Sequence, residues 1–381
     1  MNTQPQRVVV ALSGGVDSSV SAALLKEQGY AVAGAFIITW QAPWLPCTWR
    51  EERRDAMRVA AQLDIPFHTI DLSKEYERDV VDYFVAEYKA GRTPNPDVMC
   101  NKYVKFGAFF DWAMEQGFEY VATGHYARVE KRVETKEDRG DEPYDLLTGI
   151  DQNKDQTYFL WTLTQRHLAH TLFPVGGHEK SHVRALAAQY GLPTATKKDS
   201  QGVCFLGKID MKEFLQHYIE LAPGTVLDAA GQVIGTHDGA AFFTLGQRHG
   251  FSVHAHTPNT EPLYVIAKDV AANTITVAPR NDKHTTEKQL TKTIELTDCN
   301  WITTASTPYT LPPTPYRARF RYRQLLLPVT LADCTHTTAA ITFDTPQAYV
   351  PVGQSLVVYD GEHCLGGGII AATHTTDRVH C

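Results

Sequence analysis

The first half of the chain alternates between two periodicities. Runs of apolar, largely β-branched residues, RVVVAL (7–12), AVAGAFII (31–38) and PFHTIDL (66–72), are each followed by a helically spaced stretch: Asp17 to Gln28, Glu51 to Leu63, and Lys74 to Tyr88. Short buried strands interleaved with helices predict right-handed βαβ units on a parallel sheet. FEYVATG (118–124) extends the pattern by one more strand, preceded by a helix from about Lys102 to Gln116. The expected architecture is an open, doubly wound sheet with ligands at the carboxyl ends of its strands.

Beyond Tyr126 the alternation stops. The charged run EKRVETKEDRGDEPYD (130–145) predicts a hairpin with an exposed tip. Helical spacing returns at about 164–170 and 178–190, and a helix from Asp210 to Glu220 is expected to close the first domain. Between them, PTATKKDSQGVCFLGK (193–208) follows neither period and is long for a structureless connection, which points to function. From Leu221 the chain turns to short alternating strands punctuated by Gly, Pro, Asn and Asp, an all-β signature. The reading is α/β plus all-β in three domains: 1–220, a small β domain at 221–280, and a barrel-like domain at 281–381. Residues 303–314, rich in threonine, read as a loop.

Composition bounds this picture. With 381 residues, 43% hydrophobic and 21% charged, the chain can bury a core in each domain. Its longest apolar run, Ala31 to Trp40, is too short to cross a bilayer, and MNTQPQR lacks an apolar signal region, so a cytoplasmic protein free of membranes is expected. The seven cysteines are scattered, with no CxxC pair, which argues against a disulfide framework or a zinc ribbon, and no metal site is expected in the protein itself. A net charge of -7 disfavours nonspecific nucleic-acid binding but leaves room for a local basic face.

Three stretches carry chemistry. Ser13-Gly14-Gly15-Val16-Asp17-Ser18 leaves a strand and opens a helix, where free amides, the helix dipole and side-chain-free glycines suit a phosphate. The spacing is neither GxxxxGK[ST] nor GxGxxG, so a P-loop NTPase or a dinucleotide fold is not indicated. GRTPNPDVMCNKYVKFG (91–107) sets prolines beside Asp97 and Cys100. The prolines predict a loop, and Lys102, Lys105 and a nearby helix start predict surroundings that favour thiolate. SQGVCFLG (200–207) presents a second thiol, Cys204, among Lys197, Lys198 and Lys208. A lone cysteine is more often a buried apolar side chain, but SGGVDS resembles the PP-loop of ATP pyrophosphatases, and two thiols beside such an ATP-activating turn are what sulfur transfer requires. RARFRYR (317–323) alternates arginines with Ala318, Phe320 and Tyr322. As one strand it would line four arginines on one face, suited to a phosphate backbone or to scattered surface ion pairs.

SGGVDSS, GRTPNPDVMCNKYVKFG, ATGHYAR, DQTYFLWTL, DSQGVCFLG, FFTLGQRHG and RYRQ occur in the order found in the tRNA-specific 2-thiouridylases, and the chain resembles that family over nearly its whole length. The resemblance implies a PP-loop domain, a central β domain and a C-terminal β-barrel. It also implies ATP-dependent exchange of the C2 oxygen for sulfur in the wobble uridine of tRNAs with Lys, Glu and Gln anticodons, with AMP and pyrophosphate released. Carried over by motif, Ala11, Leu12, Ser13, Gly14, Gly15, Val16, Asp17 and Ser18 line the ATP phosphates, helped by Mg2+. Gly124 and Ile37 meet the nucleotide, Ile37 replacing the family's usual methionine. Asn95, Pro96 and Asp97 receive the target base, with Asp97 as general acid/base. Cys100 matches the nucleophile and Cys204 the persulfide carrier. His125, Lys154, Asp155, Gln156, Arg321, Tyr322 and Gln354 match tRNA contacts.

The implied partners are tRNA and a persulfide donor, a cysteine desulfurase or sulfur-relay protein, acting on a monomer. Transfer ends with a Cys100–Cys204 disulfide that must be reduced. Two rival readings are a PP-loop ligase acting on a small molecule, in the manner of argininosuccinate or GMP synthetases, and a noncatalytic RNA-binding or adenylate-sensing protein. The first needs neither thiols nor a tRNA-binding barrel, and the second would form no AMP.

Overall fold

The structure is a computed structural model that describes residues 4–44, 49–132, 144–198, 211–254, 261–279, 290–302 and 315–375. Cys204, Cys47, Cys381 and the threonine-rich stretch 303–314 lie outside the described residues. Strands β1 (Arg7–Ala11), β2 (Ala31–Ile38), β3 (Phe67–Asp71), β4 (Tyr120–Ala122) and, later in the chain, β7 (Thr171–Leu172) form a parallel sheet in the order β3-β2-β1-β4-β7. The unbroken valines of β1 explain its central place. Val8 and Val10 face a core built with α1 (Val16–Glu27) and α2 (Trp49–Gln62), and Val9 faces a second core with Phe109, Phe110 and Ala113. All three valines are fully buried, as a strand covered on both faces requires.

The expected helix near 102–116 is longer than its periodicity indicates. It starts at Pro96, continues as a π-helical stretch at Cys100–Ala108 that is kinked at Gly107 (φ -103°, ψ -105°), and resumes as α-helix at Phe109–Glu115. Pro96 stands at the first helical position, where its missing N–H costs nothing, and the Asn95 side chain caps the turn by accepting from the Val98 amide at 3.3 Å. Asp97 and Cys100 are therefore presented from a helix, not from the loop that the prolines suggested.

The charged hairpin exists, as β5 (Ala127–Lys131) and β6 (Tyr144–Thr148), but it does more than cap the first domain. Strand β6 pairs with β18 (His363–Thr375) of the C-terminal unit. That unit closes on itself: β13 (Thr291–Trp301), β16 (Ala339–Gln347), β15 (Leu327–Ala332), β14 (Tyr316–Arg319), β17 (Ser355–Asp360) and β18 follow one another, and β13 pairs back to β18. The result is a six-stranded barrel with the hairpin sewn to its side. In chain order, the first domain and the barrel are separated by a five-stranded sheet of β8 (Gly224–Leu227), β9 (Val233–His237), β10 (Phe251–Val253), β11 (Leu263–Asp269) and β12 (Thr274–Pro279), with its own small core around Val226, Phe243 and Val265.

The arginine strand is corrected by the structure. Strand β14 ends at Arg319, the chain reverses, and Arg323 takes a positive φ of 62°. The four arginines therefore share no face. Arg317 is exposed, while Arg319 turns inward and forms an ion pair with Asp155, their side chains being 8% and 1% exposed. Nε and Nη2 of Arg319 also donate to the Tyr359 hydroxyl at 3.1 and 2.8 Å, and Asp155 accepts from the Thr157 hydroxyl at 2.9 Å and from the Gly149 amide at 3.2 Å. Asp155, expected at a tRNA contact, is thus enclosed between the first domain and the barrel, with its carboxylate committed to Arg319.

A buried pair broken on one side leaves an uncompensated charge. Arg319→Met should lower unfolding free energy by about 3–5 kcal/mol, and the double variant Arg319→Met/Asp155→Leu should recover most of that loss in urea denaturation.

Candidate nucleotide and cysteine site

The turn after β1 is built for close approach. Gly14 has φ +73°, and a Cβ there would lie 2.4 Å from the Glu52 carbonyl oxygen on α2. Only glycine lets the turn lie flat against α2 in this conformation. Gly15 caps α1 with its backbone alone, no side chain satisfying the helix's first amides. Hydroxyls brace the turn: the Ser13 amide donates to Ser18 Oγ at 3.3 Å, and Ser19 Oγ donates to the Gly15 carbonyl at 2.7 Å. Open amides at a helix N-terminus make an anion site. Gly124, which follows β4, forms the opposite wall. A Cβ at Gly124 would come within 2.7 Å of the Ser18 amide nitrogen, so a side chain would crowd the first turn of α1. Ile37 stands near the end of β2, partly buried and paired in register with Ile70.

Asp17 is held from two sides. Lys180 Nζ lies 2.7 and 2.8 Å from its two carboxylate oxygens, and the Tyr126 hydroxyl donates to Oδ1 at 2.9 Å. Lys197 Nζ donates to the Gly14 carbonyl at 3.0 Å and pairs with Asp55 at 2.8 Å. The turn has no lysine of its own, and two arrive from more than 160 residues away. Sequence reasoning missed both, because nothing local to Lys180, at the first position of the helix Lys180–Gln189, or to Lys197 marks it as a neighbour of the turn. Tyr126 stood in a recognised motif and could have been found there.

Cys100 is buried at the start of the π-helical stretch, 4% exposed. Burial pushes its thiol up, Lys105 pulls it partly back, Asp97 raises it, and a hydrogen bond with Tyr76 lowers it. The expected thiolate-favouring surroundings are therefore overturned: Lys105 is near, but desolvation outweighs it. Lys105 Nζ is 3.4 Å from His125 Nε2, and the other ring nitrogen lies 2.7 Å from the Thr123 hydroxyl. His125, expected to touch tRNA, is instead buried, and burial followed by the Lys105 charge holds it well below the usual imidazole range. It is a neutral ring, facing Lys105 and not the solvent. Cys100 feels the charge of Lys105, Lys105 meets His125, and Gly124, the residue before His125, packs on the first turn of α1 at Ser18.

The remaining expected residues gather at the mouth between first domain and barrel. Asn95 and Pro96 are buried and Asp97 half-buried. The Gln156 side-chain oxygen accepts from the Tyr126 amide at 3.0 Å, and Lys154 is half-buried beside it. Tyr322 packs on Phe159 with ring centroids 4.7 Å apart. Arg321 is exposed and donates to the Tyr349 carbonyl at 2.9 Å, and Gln354 reaches back to residues 93 and 94. Among the described residues, no cluster of three or more His, Cys, Asp or Glu is arranged to hold a metal, and no helix is long and apolar enough to cross a membrane.

A parallel sheet with a glycine turn at a helix N-terminus, followed by a small β unit and a closed barrel, defines an α/β enzyme of the PP-loop class with two appended β domains. Family models match in that order: a tRNA methyl transferase HUP domain over residues 6–208, a tRNA methyl transferase PRC-barrel domain over 212–279, and an aminomethyltransferase beta-barrel domain over 291–370. The chain is 46% identical over 376 residues to tRNA-specific 2-thiouridylase MnmA 2 of Geobacillus kaustophilus, covering 97% of this chain and 96% of that one. It is also 46% identical over 375 residues to tRNA-specific 2-thiouridylase MnmA of Enterococcus faecalis, covering 98% and 97%. The chain belongs to the tRNA-specific 2-thiouridylase family.

Two titrations follow from this geometry. Site-resolved mass spectrometry of iodoacetamide-treated protein should find Cys100 modified slowly at neutral pH, with a rate that climbs beyond the ordinary thiol range of about 8.5. For His125 the folded value lies below the unfolded one, so stability is intact above about pH 6.5 and declines as pH falls below it. The decline is up to about 1.4 kcal/mol per pH unit until the folded value is reached. The wild type should lose urea stability over this range more steeply than His125→Gln.

Proposed function

We propose that this protein is an ATP-dependent tRNA-uridine 2-sulfurtransferase in which the glycine turn at 13–18 activates the base and Cys100 with Cys204 delivers the sulfur. The observation that supports the reading is that buried Cys100 feels the charge of Lys105, whose Nζ lies 3.4 Å from His125 Nε2, while Gly124, the residue before His125, packs on the first turn of α1. The reading puts activation and thiol chemistry in one site. The uridine C2 oxygen is a poor leaving group. Its attack on the α-phosphate of ATP expels pyrophosphate and makes it part of AMP, a far better one. Adenylation also requires the N3 proton to leave, a task for Asp97 beside the base. The open amides at the start of α1, those of Val16 to Ser18, stabilise the departing pyrophosphate. Mg2+ would neutralise phosphate charge, held by the phosphates and water, since both carboxylate oxygens of Asp17 are engaged by Lys180.

The wobble uridine of tRNAs with Lys, Glu and Gln anticodons is the proposed target, taken out of its stack to reach this site. A desulfurase or relay protein loads Cys204 as Cys–S–SH. In direct attack the terminal sulfur bonds to C2 and expels AMP, and the Cys100 thiolate then attacks the Cys204 sulfur, breaking the S–S bond and releasing 2-thiouridine; in the other route Cys100 attacks the Cys204 sulfur first and the freed sulfide attacks C2 and expels AMP. Both routes leave 2-thiouridine and a Cys100–Cys204 disulfide, which an external thiol reduces. Burial of Cys100 keeps that thiol protonated until the loaded site calls on it, consistent with a reagent held back from adventitious oxidation.

The family models' descriptions speak of methyl transfer and the relatives' names of thiolation. Transfer from an activated methyl donor needs no ATP-phosphate turn and no reactive thiol pair, so the residues here favour thiolation. A small-molecule ligase reading would make ATP cleavage indifferent to tRNA.

The test is mass spectrometry of tRNA incubated with ATP, Mg2+ and a persulfide donor. The wild type should add one sulfur per wobble uridine. Cys100→Ser and Cys204→Ser should each abolish it, by about 10³-fold or more, while retaining tRNA binding, and Asp17→Ala should lose AMP formation first. Full thiolation by either serine variant would refute the assignment.

A further inference from the structure

The segment that enters the base-receiving turn is fastened by the barrel, and one side chain makes most of the fastening. Gln354, just before β17, donates from Nε2 to the Thr93 carbonyl at 3.0 Å and to the Pro94 carbonyl at 2.9 Å. Both amide hydrogens are thereby in use. Its oxygen lies 3.4 Å from the Tyr158 hydroxyl, which also meets the carbonyls of Phe320 at 3.1 Å and Ser355 at 3.0 Å. The backbone repeats the attachment, the Thr93 amide donating to the Val352 carbonyl at 2.9 Å. Gly353 has φ +94°, and a Cβ there would stand 3.0 Å from Thr93 N, Thr93 O and Arg92 Cβ. Barrel and loop are in direct backbone contact. The central sheet unit joins at the same point: Thr93 Oγ1 is 3.2 Å from Thr244 Oγ1, and Arg321 Nη2 is 2.9 Å from the Tyr349 carbonyl and 3.4 Å from that of Leu245.

All three units thus converge on Thr93 and Pro94, immediately before the Asn95 cap that starts the turn carrying Asp97 and Cys100. We propose that Gln354 is a positioning residue for the thiolation reaction, setting the entry angle of residues 93–100 from the barrel, so that the seating of the barrel on tRNA fixes the place of Asp97 and Cys100. This rests on the function proposed above and differs from a role in which Gln354 serves as a tRNA contact. Both of its donors point inward, and the carbonyls they satisfy belong to buried or half-buried backbone. Losing them leaves two acceptors unpaired and the loop free to shift, and small displacements of reacting groups are costly.

The experiment compares wild type, Gln354→Met, which keeps size without donors, and Gln354→Glu, which turns carboxylate oxygen toward the two carbonyls. Three quantities are read on the full chain: kcat for tRNA thiolation, Kd for tRNA, and hydrogen exchange of peptides spanning 92–99. The expected result is a kcat lowered at least about 10-fold in both variants, tRNA Kd within about 2-fold of wild type, and faster exchange at 92–99. Gly353→Ala, which pushes on the same loop from the neighbouring position, should show the same split. The proposal is overturned if tRNA Kd weakens by the factor lost from kcat/KM while exchange at 92–99 stays at the wild-type rate. If the wild type thiolates no tRNA, the functional reading fails separately, and the exchange experiment still decides whether Gln354 sets the loop.

Discussion

The enclosed pair of Asp155 and Arg319 is what makes a catalytic domain and a barrel into a single body. Each charge would be expensive to bury alone, and each is satisfied only by the other together with Thr157, Gly149 and Tyr359. The pair forms only when the barrel is seated in one register, because Arg319 is the last residue of β14 and Asp155 lies in the loop beyond the hairpin. Hydrophobic contact alone permits sliding; a buried ion pair with directed hydrogen bonds permits one arrangement. The hairpin β5–β6, paired to β18, then extends the same junction with backbone hydrogen bonds.

Given that register, the rest of the site follows. The strand-and-helix layers place the glycine turn at the end of β1, with Gly124 at the end of β4 beside it, where neighbouring parallel strands bring their carboxyl ends together. The helix beginning at Pro96 is aimed by its cap and held from the barrel side. Its π-helical stretch, which begins at Cys100, is a form that recurs at functional sites because it displaces side chains from the regular helical faces.

Much of this was legible in the sequence. Three valines in a row, followed by Ala11 and Leu12, read as a buried strand, and two glycines before a helical period read as a tight turn suited to a phosphate. The hairpin was visible as charge. What was hidden depends on long-range placement. That RARFRYR breaks after Arg319 is a consequence of barrel closure, since local alternation favours a continuous strand. That Asp155 and His125 are enclosed depends on what packs over them, and no neighbour in sequence reports it. The proline-rich approach to Cys100 misled in a different way: proline stops a helix from within but starts one well, and Pro96 does the latter. The acidity of Cys100 was misjudged because lysines are visible in a sequence and desolvation is not.

The resting state of Asp17 has one further meaning. Its carboxylate carries Lys180 as an internal counter-ion, so the phosphate turn is electrically balanced before any nucleotide arrives. A polyphosphate entering beside it competes with Asp17 for that ammonium, and binding becomes an exchange of partners and not the filling of an empty positive hole. Exchange softens affinity in both directions: the incoming anion gains less than the bare Coulombic attraction, and the outgoing one is helped away as Asp17 reclaims its lysine. Under the proposed function, in which this turn releases pyrophosphate in every cycle, a cation that always has somewhere else to go would serve it.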